Sequence, residues 1–137
     1  EIPACGLELG YRRSIFSSRE GAVLAAEIAL EPREAGEIRD RMEELGRRRR
    51  EKQPLEFPSA GSTFKRPEGH FAGGLIDQCG LKGFRIGGAQ VSEKHAGFVI
   101  NAGGATCADV LALIGHIQKT VRERTGVELE TEVKILR

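Results

Sequence analysis

Phe84-Arg-Ile-Gly-Gly-Ala-Gln-Val-Ser92, Gly97-Phe-Val-Ile-Asn-Ala102 and the run from Thr106 to Thr125 decide the fold of this 137-residue chain. The first two pieces read as strands, with Glu93 to Ala96 as their connection. The third reads as the best helix in the chain. Thr106 is a natural N-cap, and Asp109 three positions later is its capping-box partner. Val110, Ile114, Ile117 and Val121 recur at helical spacing as a buried stripe, widened by Leu111 and Leu113, and Gly126 ends the helix. Residues 127–136, Val-Glu-Leu-Glu-Thr-Glu-Val-Lys-Ile-Leu, then alternate as a half-buried strand does.

Working outward, residues 71–80 read as a short helix with Leu75 and Ile76 inward and Gly80 as its stop. Residues 57–67 form a turn-rich loop between Pro54 and the next elements. Residues 32–51 predict a helix with Pro32 at its first position, a narrow apolar stripe of Ala35, Ile38, Met42 and Leu45, and a basic end from Arg47 to Arg50. Residues 22–30, bounded by Gly21 and Pro32, predict a buried strand, and residues 7–16 an extended segment with a glycine bend. The sum is an α+β fold: a largely antiparallel sheet packed with helices near 32–51, 71–80 and 106–125.

Composition narrows the function. Lys plus Arg number 21 against 20 Asp plus Glu, so the net charge of +1 gives no ground for a nucleic-acid or membrane partner. Trp is absent and aromatics are 5%, which argues against a stacking platform for single strands. No apolar run is long enough to span a bilayer. Cys5, Cys79 and Cys107 are odd in number and irregularly spaced, so they read as reduced cytosolic thiols in or near the core. The chain lacks a starting Met, which is expected of a processed chain or a fragment.

Four features could carry chemistry. Ser62 lies in Ala60-Gly61-Ser62-Thr63-Phe64, which is not a nucleophile elbow and otherwise reads as a turn serine. Asn101 to Thr106 run into a helix N-terminus that could hold a phosphate or simply be a capped loop. His70, His95 and His116 form no metal-ligand spacing, so no metal is expected, while His95 beside Lys94 could meet an anion. Glu128, Glu130 and Glu132 share one strand face, where three like charges repel unless partners intervene. An alternative use of the chain is a small nucleic-acid-binding or non-catalytic interaction domain acting through Arg47 to Arg50, although acidic neighbours favour a solvated helix end.

The stretch Pro58-Ser-Ala-Gly-Ser-Thr-Phe-Lys-Arg-Pro67 resembles the signature of the UDP-N-acetylenolpyruvoylglucosamine reductase family. The similarity continues through Ala72-Gly-Gly-Leu-Ile-Asp77, Gly80-Leu-Lys-Gly83, Ile86 to Phe98, and Gly126 to Val133. Upstream, Gly10-Tyr-Arg-Arg-Ser-Ile-Phe16 is similar to the family's Tyr-Arg-x-Ser segment. The motifs stand in the family's order over essentially the whole chain.

The resemblance implies a cytoplasmic oxidoreductase of peptidoglycan-precursor synthesis. Reduced FAD passes hydride to the enolpyruvyl double bond of a UDP-sugar, giving UDP-N-acetylmuramate, and NADPH re-reduces the flavin. It implies Ser62 as proton donor, with Arg12 and Glu132 as the other catalytic residues. Arg12 would pair with the substrate carboxylate or the developing enolate, and Glu132 would sit near the same carboxylate. Tyr11, Lys65, Gln90, Lys94 and His95 are the implied substrate-binding residues. The family enzyme is longer, and its flavin-binding loops are not found here. The chain therefore reads as a C-terminal fragment: residues 1–52 as the end of the FAD-binding domain and 53–137 as the substrate-binding domain. Its partner would be the N-terminal FAD-binding part, without which it would be inactive.

Overall fold

The computed structural model describes residues 1–135; Leu136, the end of the expected last strand, and Arg137 lie outside the described residues. The chain forms two compact units, Glu1–Glu34 and Ala35–Arg137.

The first unit has no sheet. Two short 3-10 turns, Ala4–Leu7 and Ile15–Ser17, flank a tight turn. In that turn Gly10 and Arg13 exchange backbone hydrogen bonds of 2.9 and 3.2 Å, leaving Tyr11 and Arg12 at the tip. The extended reading of residues 7–16 gives way because side-chain hydroxyls capture the backbone. The Ser14 amide donates to Ser17 Oγ (3.1 Å) and the Phe16 amide to Ser14 Oγ (3.3 Å). The expected buried strand at 22–30 does not form either. Its residues take no regular structure, and Val23, Leu24, Ile28 and Leu30 are 64%, 95%, 74% and 84% exposed. A strand needs a neighbour to satisfy its backbone and cover its apolar face, and none of the described strands pairs with it.

The second unit contains α1 (Ala35–Lys52), β1 (Ser59–Ser62), α2 (Ala72–Gln78), β2 (Arg85–Ile86), β3 (Ala89–Val91), β4 (Phe98–Asn101) and α3 (Cys107–Thr125). The four strands make one antiparallel sheet in the order β1-β4-β3-β2, as the α+β reading expects. The single strand expected over 84–92 is in fact the β2–β3 hairpin. Gly87 (φ 54°) and Gly88 form its two-residue turn, which lies hard against the start of α3. A Cβ on Gly88 would fall 2.3 Å from the Ala105 nitrogen, so no other residue fits that approach without a backbone shift.

Helix α3 packs on one face of the sheet, and α2 packs on α3. Ile76, Val91, Leu113, Ile117 and Val121 are fully buried there, with Phe64, Leu75, Cys79, Leu81 and Leu129 around them. Each such side chain contributes roughly 1.5–3 kcal/mol of transfer free energy. The α3 stripe forms as its spacing predicts, except that Leu111 turns out of it and stays 38% exposed. Helix α1 begins at Ala35, so Pro32 precedes it instead of opening it. Its stripe of Ile38, Met42 and Leu45 is not buried. The helix carries ion pairs along its length: Arg41–Glu44 (2.6 Å), Arg47–Glu51 (2.9 Å) and Arg48–Glu44. The hydrogen bond from Arg41, helped by the charge of Arg48, lowers the Glu44 pKa.

Candidate active site

The chain changes sheet partner at Ser62. Up to Ser62 it pairs with β4, Ser59 opposite Ile100 and Ser62 opposite Phe98, with a register shift between. From Thr63 onward it pairs with the last extended segment. Phe64 opposes Thr131, the Lys65 amide donates to the Glu130 carbonyl (2.8 Å), and the Glu132 amide donates to the Thr63 carbonyl (2.9 Å). Ser62 and Glu132, both expected at the site, are thereby carried on neighbouring backbone. The expected strand at 127–136 is reduced to this single bridge, because residues 127–129 are held by α3 instead of by a strand.

Thr63 holds the switch from three directions. Its amide donates to the Gly97 carbonyl (2.9 Å), its carbonyl accepts from Glu132, and its hydroxyl accepts from the Val99 amide (3.1 Å). The hydroxyl satisfies a strand N–H at the register shift, and the side chain is only 3% exposed. Ser62 itself is exposed. Its hydroxyl donates to the Phe64 carbonyl at 3.3 Å, a long bond that a better acceptor displaces easily.

The three glutamates resolve differently. Glu128 meets Arg122 (3.4 Å), Glu130 pairs with Lys65 across the bridge, and Glu132 is half-buried. The repulsion expected along that face is thus relieved by cations from other elements.

The remaining expected residues of this unit lie around the β3–β4 connection. Gln90 donates its side-chain amide to the Gly83 carbonyl (3.2 Å). The buried Ser92 hydroxyl accepts from the amides of both Lys94 and His95 (3.2 Å each). Lys94 Nζ lies 3.4 Å from both carboxylate oxygens of Glu56. A hydrogen bond from its own amide, followed by Lys94, lowers the Glu56 pKa. His95 accepts from the Gly97 amide at Nδ1 (3.1 Å), which leaves Nε2 to carry the proton of the neutral ring. Its ring meets Phe98, the register partner of Ser62, edge-on at 4.9 Å. Tyr11 and Arg12 belong to the first unit. Arg12 sits at φ 56°, with its guanidinium 5.7 Å from the Tyr11 ring centroid. Holding a non-glycine residue there costs about 1–3 kcal/mol, a strain typical of functional turns.

Sequence reasoning missed the buried hydroxyls of Thr63 and Ser92, which tie down the backbone around these groups. The available signal was a hydroxyl or amide placed among apolar neighbours, where only a hydrogen-bond partner makes it tolerable. The 101–106 loop resolves as a capped loop. Asn101 Oδ1 accepts from the Gly103 and Ala105 amides (2.9 and 3.1 Å), and Asp109 from the Thr106 amide (2.9 Å). Only Cys79 is a core thiol; Cys5 and Cys107 are exposed, contrary to the expectation for all three, since Cys5 lies in a short 3-10 turn that buries no residue and Cys107 opens α3. Arg47 and Arg48 are tied to Glu51 and Glu44, and Arg49 to Gln53, as a solvated helix end requires. Among the described residues no helix is long and apolar enough to cross a membrane, and no group of three or more His, Cys, Asp or Glu could hold a metal ion.

An antiparallel sheet packed with helices, with Ser62 and Glu132 carried on neighbouring backbone where one strand changes partner, defines an α+β domain with a candidate polar site at a sheet edge. The family model for the UDP-N-acetylenolpyruvoylglucosamine reductase C-terminal domain matches residues 53–136, and the chain belongs to that family. It is 62% identical over 130 residues to the UDP-N-acetylenolpyruvoylglucosamine reductase of Clostridium perfringens, and 58% identical to that of Caldanaerobacter subterraneus subsp. tengcongensis. Each match covers 95% of this chain but 43% of the relative, so the chain spans less than half of the curated relatives it matches. Among solved structures it is similar to UDP-N-acetylenolpyruvylglucosamine reductase from Thermus caldophilus, with a TM-score of 0.62 and 42% identity over 78% of this chain and 38% of that one. The nucleic-acid and interaction-domain alternatives are not favoured by these findings.

Proposed function

We propose that this chain is the C-terminal part of a flavin-dependent reductase that converts UDP-N-acetylglucosamine enolpyruvate to UDP-N-acetylmuramate with NADPH. The observation that carries this reading is the match of residues 53–136 to the C-terminal domain of that reductase family, and the backbone bond from the Glu132 amide to the Thr63 carbonyl, next to Ser62, is consistent with it. On this reading residues 1–52 end the FAD-binding domain and 53–137 form the substrate domain, working in the cytoplasm with the N-terminal portion of the enzyme as partner.

FAD does not fit a cradle on the described residues. The glycine-rich loop that opens α3 has its Gly103, Ala105 and Thr106 amides already bonded to Asn101 and Asp109. FAD and NADPH contacts are therefore assigned mostly to the N-terminal portion, and this chain's main share is the proton side of the reaction. Charge develops on the carbon next to the substrate carboxylate. Ser62 delivers a proton there: a serine hydroxyl is a weak acid, but an enolate or carbanion is a strong enough base to take its proton. Arg12, whose planar fork suits a carboxylate, is assigned to pair with it. Glu132 stands near the same group. Lys65 and Lys94, which keep Glu130 and Glu56 as counter-ions, would pair with the diphosphate, with Tyr11, Gln90 and His95 shaping the nucleotide-sugar site.

The test is NADPH oxidation by this chain combined with the N-terminal portion, FAD and the enolpyruvyl UDP-sugar. Ser62→Ala is expected to lower kcat by about 10²–10⁴-fold with little change in stability. A variant as fast as the parent protein would remove Ser62 from the reaction.

A further inference from the structure

The segment that carries Glu132 is sparsely paired. Among the described residues its backbone makes two bonds to the 63–65 stretch and none to any other strand. Its grip comes from α3, one residue after another. The Val127 amide donates to Thr125 Oγ1 (3.3 Å), Glu128 pairs with Arg122 (3.4 Å), and Gln118 Nε2 donates to the Leu129 carbonyl (2.8 Å). Helix residues 125, 122 and 118 lie along one face, so the segment runs antiparallel to the helix with one anchor per residue. Leu129 adds apolar burial, being 4% exposed.

Thr125 and Arg122 act near the helix end, and the Arg122 pair is exposed and weak. Gln118 is the last anchor before the chain crosses to Thr63, and it is half-buried. We infer that Gln118 is a positioning residue for Glu132: by holding the Leu129 carbonyl it sets the register in which Glu132 faces Thr63. Without it a slip of one residue would exchange Glu132 for Thr131 at the site, because side chains alternate faces along an extended segment. This role deepens the function proposed above and rests on the place given there to Glu132.

Two variants test it. Gln118→Leu keeps the volume and removes the donor; Gln118→Arg restores a donor of similar reach. In this chain, amide exchange at Glu132 and Lys65 is expected to speed about tenfold in Gln118→Leu and to return in Gln118→Arg, with Ile117 protected throughout. In the protein combined with its N-terminal portion, kcat falls about tenfold in Gln118→Leu, KM for NADPH stays constant, and Gln118→Arg recovers the rate. Unchanged exchange, an Arg variant as impaired as the Leu variant, or faster exchange with unaltered kcat each overturns the inference. If the unmodified protein shows no reductase activity, the functional proposal fails instead, and exchange alone decides what Gln118 holds.

Discussion

Two apolar stretches of this chain meet opposite fates. Ala22 to Leu30 is almost continuously apolar, yet Leu24 is 95% exposed. Leu113 to Val121 is no more hydrophobic in its pattern, yet Leu113, Ile117 and Val121 are wholly buried. Burial is a property of a pair of surfaces, and among the described residues the second stretch finds its partner in the sheet while the first stays exposed. The apolar stripe of α1 falls on the same side of this divide as residues 22–30. Both lie in the part of the chain ahead of the family match at residues 53–136.

The largest effect should come from the buried stretch. Ile117→Ala removes a fully enclosed side chain, and cores of this kind lose about 2–5 kcal/mol by such truncation. Urea unfolding followed by far-UV circular dichroism measures it. A loss under about 1 kcal/mol would mean the site had collapsed around the deletion, and the contrast with residues 22–30 would shrink. Next comes Gly88→Ala. The added methyl meets the backbone of Ala105 and Gly103 within 2.4 Å, so the hairpin must move off α3, at about 1–3 kcal/mol. A neutral result would show that the turn is free to shift.

A smaller effect belongs to the start of α3. Thr106→Ala deletes the cap and should destabilise by about 1 kcal/mol. The Thr106 amide, then the Thr106 hydroxyl and the Gly88 amide, hold the Asp109 pKa below its ordinary value. A depressed carboxylate stabilises the fold above the unfolded-state pKa, and that contribution is lost as pH falls through the lower folded-state value. Acid titration of the parent protein against Asp109→Asn should therefore show a steeper loss for the parent below the ordinary aspartate range. Parallel curves would take Asp109 out of the helix start.

These same elements show what could be read from residues alone. Thr106, Asp109 and Gly126 are local signals, and α3 starts and stops where they place it. The alternation at 127–131 correctly puts Leu129 inside and Glu128 and Glu130 outside. The hairpin at Gly87 was hidden because its reason is a distant contact, the Ala105 backbone, and no local pattern encodes that. Ser62 and Glu132 are singled out by motif resemblance alone, whereas the side chains that hold their backbone are set by tertiary bonds. Thr63 finds Val99 across 36 positions of sequence, and Gln118 finds Leu129 from a helix face that periodicity alone assigns to packing.

The smallest expected effect is the most informative about residues 22–30. Leu24→Ser in this chain should change stability by less than about 0.5 kcal/mol, since a nearly fully exposed side chain gives up no burial. The same substitution should weaken association when the N-terminal portion is supplied, if that portion covers the stretch. Full burial of a leucine is worth roughly 1.5–3 kcal/mol, which corresponds to a loss of affinity of more than tenfold. Titration calorimetry of parent and Leu24→Ser against the separately made portion reads this directly. Equal affinities would place Leu24 outside the joint and leave α1, through Met42 and Ile38, as the face to test. A large effect on the isolated chain would mean instead that Leu24 has a partner within it, and the two apolar stretches would no longer differ in kind.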